Sequence, residues 1–253
     1  LAEKVAGSAD KAVELMNSRA KMLGMNDTVY TDCTGMGEGN VTTAKDTALL
    51  CSELAKYKNL TPYLTCWLDT VRDGKAELVN LNRLVRTYKG VTGMKAWGSE
   101  KAGSCIAATA EKGDMSVCVV LNGCDSQEDM NAEAKKLLNL AFDTYEIYTP
   151  ELPEDMVKET VVCGGEELSV ELAPKGLYPI VIPRGTYRMV ECDFTAEEKL
   201  DAPVKKGETA GEIRYTMGGE VILEGKIVAC KEVKEMNFIC GIKKLVYNLL
   251  SMQ

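Results

Sequence analysis

Serine followed three residues later by lysine occurs twice near the start of the chain, at Ser8-Ala-Asp-Lys11 and Ser18-Arg-Ala-Lys21. Positions i and i+3 share a helix face, so a lysine amine at that spacing can take a serine proton and make the oxygen nucleophilic. The same spacing arises by chance in any Lys-rich helix, and both pairs read as solvated helix-face residues. Further on, Lys95 stands in the strand-like run "TGMKAW" and is followed by Ala96, Trp97, Gly98 and Ser99. A lone cation there can hold a carboxylate, or it can discourage pairing of an edge strand. The chain has no His. That removes Ser-His-Asp triads, Cys-His dyads and histidine metal sites together, and leaves acid–base work to Lys, Glu, Asp or Tyr. The ten Cys include no C-x-x-C pair, so neither a zinc knuckle nor a thioredoxin-like site is expected, and no metal is called for. Most of them read as small buried hydrophobes, as in "MSVCVVLNGC". A few disulfides in an oxidising compartment are the other reading.

The elements that must position these residues follow from periodicity. Residues 1–24 read as one helix with Val5, Val13, Leu15, Met16, Ala20 and Leu23 near one face and Gly24 as its stop. "NDTVYTDCTGMGEGNV" is loop. "TTAKDTALLCSELAKY" is a second helix, capped by Thr43. An irregular, partly extended stretch with a turn at Asp73-Gly74 leads to three strands, "TGMKAW", "GSCIAATAE" and "MSVCVVLNG", the last two joined by "KGD". A long helix follows, with Met130, Ala134, Leu137, Leu138 and Ala141 on its apolar face. Strands packed with helices in this order make an α+β unit with an antiparallel sheet.

"YTPELPED", with two prolines and several acids, reads as a linker over 148–155. It separates an α+β domain, 1–147, from a small all-β sandwich, 156–237, built of short segments with turn signals between them. Residues 238–253 read as an amphipathic tail helix. Its stripe is Ile239, Ile242, Val246 and Leu249, flanked by Lys243 and Lys244, a pattern that suits the membrane interface. The formal charge of −8 argues against nucleic acid as a partner, and no run is long enough for a membrane-spanning helix.

Taken in order, "LAEKVAGSADKAVELMNSRAKMLGMNDT", "TTAKDTALL", "NRLVRTYKGVTGMK", "AGSC", "AKKLLNLAF" and "LDAPVKKGETAGEI" resemble the D-alanyl-D-alanine carboxypeptidases. These are low-molecular-mass penicillin-binding proteins of serine-peptidase type, and the sporulation-associated forms of Gram-positive bacteria look most similar. The resemblance implies a penicillin-binding/β-lactamase-like fold followed by a small β-domain. It implies removal of the terminal D-Ala from peptidoglycan stem pentapeptides through an acyl-enzyme, without cofactors, and acylation of the same serine by β-lactams. It further implies an extracytoplasmic position, with the tail helix peripheral on the outer face of the cytoplasmic membrane.

In that family an S-x-x-K motif supplies nucleophile and base, an S-x-N motif completes the proton network, and a K-T-G strand binds the substrate carboxylate. Lys95-Ala96-Trp97 stands where K-T-G is expected. Lys95 matches. Ala96 lacks the hydroxyl, whose hydrogen bond to a charged partner is worth about 1.5–3 kcal/mol. Trp97 replaces a Gly that leaves room beside the strand. Gly98 supplies flexibility one residue late, Ser99 matches a hydroxyl position just beyond, and Arg83 matches an arginine near the active site of relatives. No S-x-N occurs, and Tyr57-Lys58-Asn59 fits a Y-x-N variant at the wrong position. By the resemblance both serine motifs precede the residues that match Leu1 to Ser8, so the N-terminal portion carrying them is expected to be missing. Two functions follow. One is the serine-type carboxypeptidase. The alternative is a non-catalytic, penicillin-binding-protein-like envelope protein that binds peptidoglycan or a protein partner. A sheet without its outer strands would expose an edge, so self-association or pairing with an N-terminal fragment is expected.

Overall fold

The protein is described by a computed structural model that places residues 1–238 and Ile242. It divides into two units, Leu1–Thr144 and Tyr145–Gln253.

The first unit opens with α1 (Ala2–Ala6) and α2 (Ala9–Met22), not the single helix expected. Gly7, at φ 86°, ends α1 in the left-handed region that glycine tolerates. Ser8 then caps α2, its hydroxyl accepting the Lys11 backbone N–H at 3.2 Å. The Ser8–Lys11 spacing is therefore a helix start and not a nucleophile–base pair. Ala20 is buried on the expected face, but Val5 is 81% exposed and Leu15 56% exposed. α3 (Ala44–Leu54) begins as anticipated, with the Thr43 hydroxyl accepting the Asp46 N–H at 3.1 Å. A short 3-10 turn, Lys58–Leu60, runs into α4 (Thr61–Leu64). The irregular stretch is a hairpin, β1 (Leu68–Val71) with β2 (Ala76–Val79), turning through Arg72, Asp73 and Gly74, all at positive φ. α5 (Leu84–Thr87) leads to the antiparallel sheet β3 (Val91–Ser99), β4 (Gly103–Lys112) and β5 (Met115–Cys124), in that spatial order. α6 (Gln127–Thr144) closes the unit.

Both α3 and α6 pack on β4 and β5. Residues 105–110 of β4 are consequently buried without interruption, the pattern of a strand with both faces covered. Its run of small residues lets both helices approach. The one polar member, Thr109, accepts a hydrogen bond from the Thr92 hydroxyl at 2.9 Å. On α6, Met130, Ala134 and Leu138 point inward as expected and Phe142 extends the stripe, whereas Leu137 is 37% exposed.

The second unit is all-β: β6 (Tyr145–Tyr148), β7 (Glu159–Cys163), β8 (Ser169–Lys175), β9 (Ile180–Pro183), β10 (Val190–Ala196), β11 (Lys199–Asp201), β12 (Thr209–Met217) and β13 (Glu220–Ala229). Six strands form one sheet in the order β10-β12-β13-β8-β7-β11, and β6 pairs with β9. Both sheets contribute to one core. Val162, Val170, Leu172, Ile213, Tyr215, Leu223 and Ile227 form it, and Tyr148 and Ile180 pack against it. The Tyr148 and Tyr215 rings meet edge-on at 6.4 Å, and the Tyr215 hydroxyl donates to the Glu151 carbonyl at 2.9 Å. The structure thus assigns Tyr145–Tyr148 to the second unit through its pairing with β9, and buries Met156 there. Of the apolar tail stripe, Ile242 is described and is exposed. Ile239, Lys243, Lys244, Val246 and Leu249 lie outside the described residues. Among the described residues no helix is long and apolar enough to cross a membrane.

Candidate active-site strand

β3 pairs only with β4 among the described residues, so it is an edge strand. Its register sets Lys95 opposite Ala107, Trp97 opposite Cys105 and Ser99 opposite Gly103. Side chains alternate along a strand, and here Met94 and Ala96 are buried while Lys95 is exposed. The cross-strand neighbour of Lys95 is an alanine, and no carboxylate lies within 4.0 Å of its ammonium among the described ion pairs. An exposed ammonium with no internal counter-charge can take an anionic ligand group without first breaking an ion pair.

Ala96 is 4% exposed and alternates away from Lys95. Its methyl belongs to the packing, not to the face that carries the cation. Trp97 shares the face of Lys95 and is half-buried against the cluster of Cys51, Met94 and Ala107, in company with Leu54, Ala55 and Leu64. The indole is therefore anchored beneath α3, two residues from the lysine. Gly98 has a steric reason to be glycine, because a Cβ there would lie 2.9 Å from the Gly103 carbonyl oxygen. The Ser99 hydroxyl accepts the Ala102 N–H at 3.1 Å and closes the β3–β4 turn. As a hydroxyl it keeps its proton to donate. Arg83 is elsewhere: its guanidinium donates to Glu128 of α6 at 2.8 Å, with both side chains half exposed or more. The structure brings Lys95, Trp97 and Ser99 onto one strand and pairs Arg83 with α6.

Asparagines that had not been singled out hold the start of β3. Asn82 is fully buried; its amide donates to the Gly93 carbonyl at 3.3 Å and its side-chain oxygen accepts the Leu84 N–H at 3.1 Å. Asn80 donates to the carbonyls of Leu64 and Cys66 and accepts the Asn82 N–H. The spacing "NLN" just before a short helix was the available signal, since Asn competes well for nearby backbone groups.

Two aspartates are structural. Asp46 is 1% exposed and accepts the Asp27 N–H at 2.9 Å and the Thr28 hydroxyl at 2.7 Å. Asp32 accepts from the Thr34 hydroxyl and from the Thr34, Gly35 and Gly37 amides. These bonds, that of the Thr34 hydroxyl foremost, hold its carboxyl well below the usual range. A carboxylate so occupied is a loop organiser, not a general base.

Residues 1–125 match the family described as D-alanyl-D-alanine carboxypeptidase, and residues 142–235 match the penicillin-binding protein 5 C-terminal domain. The chain is 31% identical over 249 residues to D-alanyl-D-alanine carboxypeptidase DacF of Bacillus subtilis (strain 168), covering 96% of this chain and 64% of that protein. It is 31% identical over 241 residues to D-alanyl-D-alanine carboxypeptidase DacC of Escherichia coli (strain K12), covering 94% and 60%. Among solved structures it resembles penicillin binding protein 5 from Haemophilus influenzae, with a TM-score of 0.76, 25% identity, and 92% of this chain and 69% of that one covered. The chain thus spans less than two thirds of the length of these curated relatives.

Proposed function

Because this chain belongs to the D-alanyl-D-alanine carboxypeptidase family, we propose that β3 forms one wall of a serine-type D-Ala-D-Ala carboxypeptidase cleft. The cleft trims the terminal D-Ala from peptidoglycan stem pentapeptides, outside the cytoplasmic membrane. The observation that carries this reading is Lys95, exposed on an edge strand and without an ion-pair partner among the described residues. Its ammonium receives the carboxylate of the terminal D-Ala, and the Ser99 hydroxyl, further along the same strand, is an additional donor. Ala96 supplies no hydroxyl to this carboxylate, and Trp97 borders the substrate on the lysine's face. The serine that forms the acyl-enzyme, and the lysine that deprotonates it, come from outside these residues, since Ser8 is spent as a helix cap and Ser18 and Lys21 lie exposed on α2. β-Lactams acylate the same serine.

The test joins residues 1–253 to the coding sequence upstream and treats the product with a fluorescent penicillin. Covalent labelling is expected, and Lys95→Ala should slow it on the order of 10²-fold, the cost of removing one anion-stabilising donor. Full-length protein that stays unlabelled at saturating probe overturns the reading.

Trp97 favours a second reading. An indole packed on the lysine's face, where the resemblance implies a glycine, suits a cleft that binds and does not turn over. That protein would bind peptidoglycan or an envelope partner. It would then sediment with cell-wall sacculi while remaining unlabelled by penicillin, and Lys95→Ala would release it.

The proposal includes a peripheral membrane contact through Ile239, Ile242, Lys243, Lys244, Val246 and Leu249. Deleting residues 238–253 should abolish liposome binding, and unchanged binding refutes the anchor. It also includes pairing of the first unit's sheet with a further strand, from a second copy or from an N-terminal fragment. A single monomeric species by sedimentation across concentration contradicts that pairing.

A further inference from the structure

We infer that Cys51 and Cys118 are a disulfide-forming pair, oxidised by a low-molecular-mass disulfide that enters the small pocket beside α3. Cys51 is 4% exposed on the inner side of α3, one helical turn before Ala55. Cys118 lies on β5 opposite Thr109, on the part of the sheet that α3 covers. The two belong to one cluster, in which Cys118 packs against Cys51, Met94 and Ala107. A pocket of about 320 Å³, lined by Ser52, Ala55, Lys56, Thr109, Ser116 and Cys118, opens beside them. It reaches Cys118 and not Cys51. Its volume is at the small-molecule end of ligand sites, so it admits a small disulfide and not a protein domain.

The thiols are not equivalent. A hydrogen bond from Cys118 lowers the Cys51 thiol below its ordinary value. The same hydrogen bond, with burial behind it, drives the Cys118 thiol up. The pair therefore gives up one proton readily and keeps the second between the two sulfurs. Thiol–disulfide exchange needs that arrangement, a thiolate beside a partner that can complete the bond.

The proton held between the two sulfurs passes to Cys51, and the Cys118 thiolate so formed attacks one sulfur of R–S–S–R and expels one R–S⁻. Cys51 then loses that proton to solvent and attacks the Cys118 sulfur of the mixed disulfide, expelling the second R–S⁻. Two protein thiols are oxidised to one disulfide, and the small disulfide is reduced to two thiols, which take up the two protons. The product ties α3 to β5. Two cysteines serving only as small apolar packing would show no selectivity between them.

The experiment treats the reduced chain with oxidised glutathione and maps the products by mass spectrometry. The expected result is a reversible Cys51–Cys118 cross-link with the loss of two hydrogens. Closing a loop of this size should raise the melting temperature of the first unit by on the order of 5 °C. Cys51→Ala should stop at a glutathione adduct on Cys118, and Cys118→Ser should leave Cys51 unmodified. In a Trp67→Phe background the emission of Trp97, which packs on the same cluster, should fall on oxidation and recover on reduction. The proposal is overturned if both thiols remain alkylatable at saturating oxidised glutathione. It is also overturned if the cross-link forms between Cys105 and Cys124 instead, or if Cys118→Ser acquires the adduct at Cys51.

Discussion

Asp46 and Asp32 carry the same side chain into opposite situations, and each makes its own prediction. Asp46 is buried and takes two donors, one of them the Thr28 hydroxyl. Removing it leaves both donors unsatisfied inside the protein, so Asp46→Ala should cost about 2–4 kcal/mol in chemical denaturation. Asp32 is only partly buried, and its carboxyl titrates below the normal range because the loop's donors prefer it ionised. A group depressed on folding contributes stability that is complete above the unfolded value, about 4. That contribution fades as pH falls toward the lowered folded value. The Gly35 and Gly37 amide signals should therefore stay fixed between pH 7 and 5 in NMR, and move only in more acid solution. Neither role was legible beforehand, because nothing local marks which Asp will be surrounded by donors. Lys95 was legible as a lone strand cation. The burial of Trp97 on the lysine's own face was not, because it depends on α3, brought there by the tertiary fold.

Among the elements, the β3–β4 hairpin is held to glycine at one position. Gly98 has backbone in the way of any side chain, and backbone cannot rotate aside as a side chain would. Gly98→Ala should destabilise the first unit by about 1–3 kcal/mol, and hydrogen exchange should report the loss first in β3. An unchanged midpoint would show that the hairpin absorbs the methyl. Strands and helices with local signals were readable: β4 as the strand "GSCIAATAE" before the "KGD" turn, α3 from its Thr43 cap, α6 from Met130, Ala134 and Leu138. The helix expected over 1–24 broke because Gly7 and Ser8 form a stop and a start inside a continuous apolar pattern. Val5 and Leu15 fell outside the core because periodicity assigns a face but not the width of what covers it.

For the whole molecule, the second unit carries its own core. Residues 145–253 expressed alone should melt in one cooperative transition with near-UV signal from Tyr148 and Tyr215. A broad, non-cooperative loss of that signal would mean the unit depends on the first. The sequence showed that this part is all-β, from its alternation and turn signals. It did not show the strand order, because pairing between distant segments leaves no local mark.

That order sets a timetable. β12 and β13 join through Gly218 and Gly219, both at positive φ, the two-residue turn that hairpins favour. They can find each other within microseconds. β11 instead lies parallel to β7, with β8, β9 and β10 intervening in the chain. Its contacts arrive only after a long stretch of chain has been gathered, and that closure entropy is met before any pairing rewards it. In stopped-flow refolding the hairpin around Gly218 should form early, and the parallel seam between β7 and β11 should be the last part of the second unit to become native.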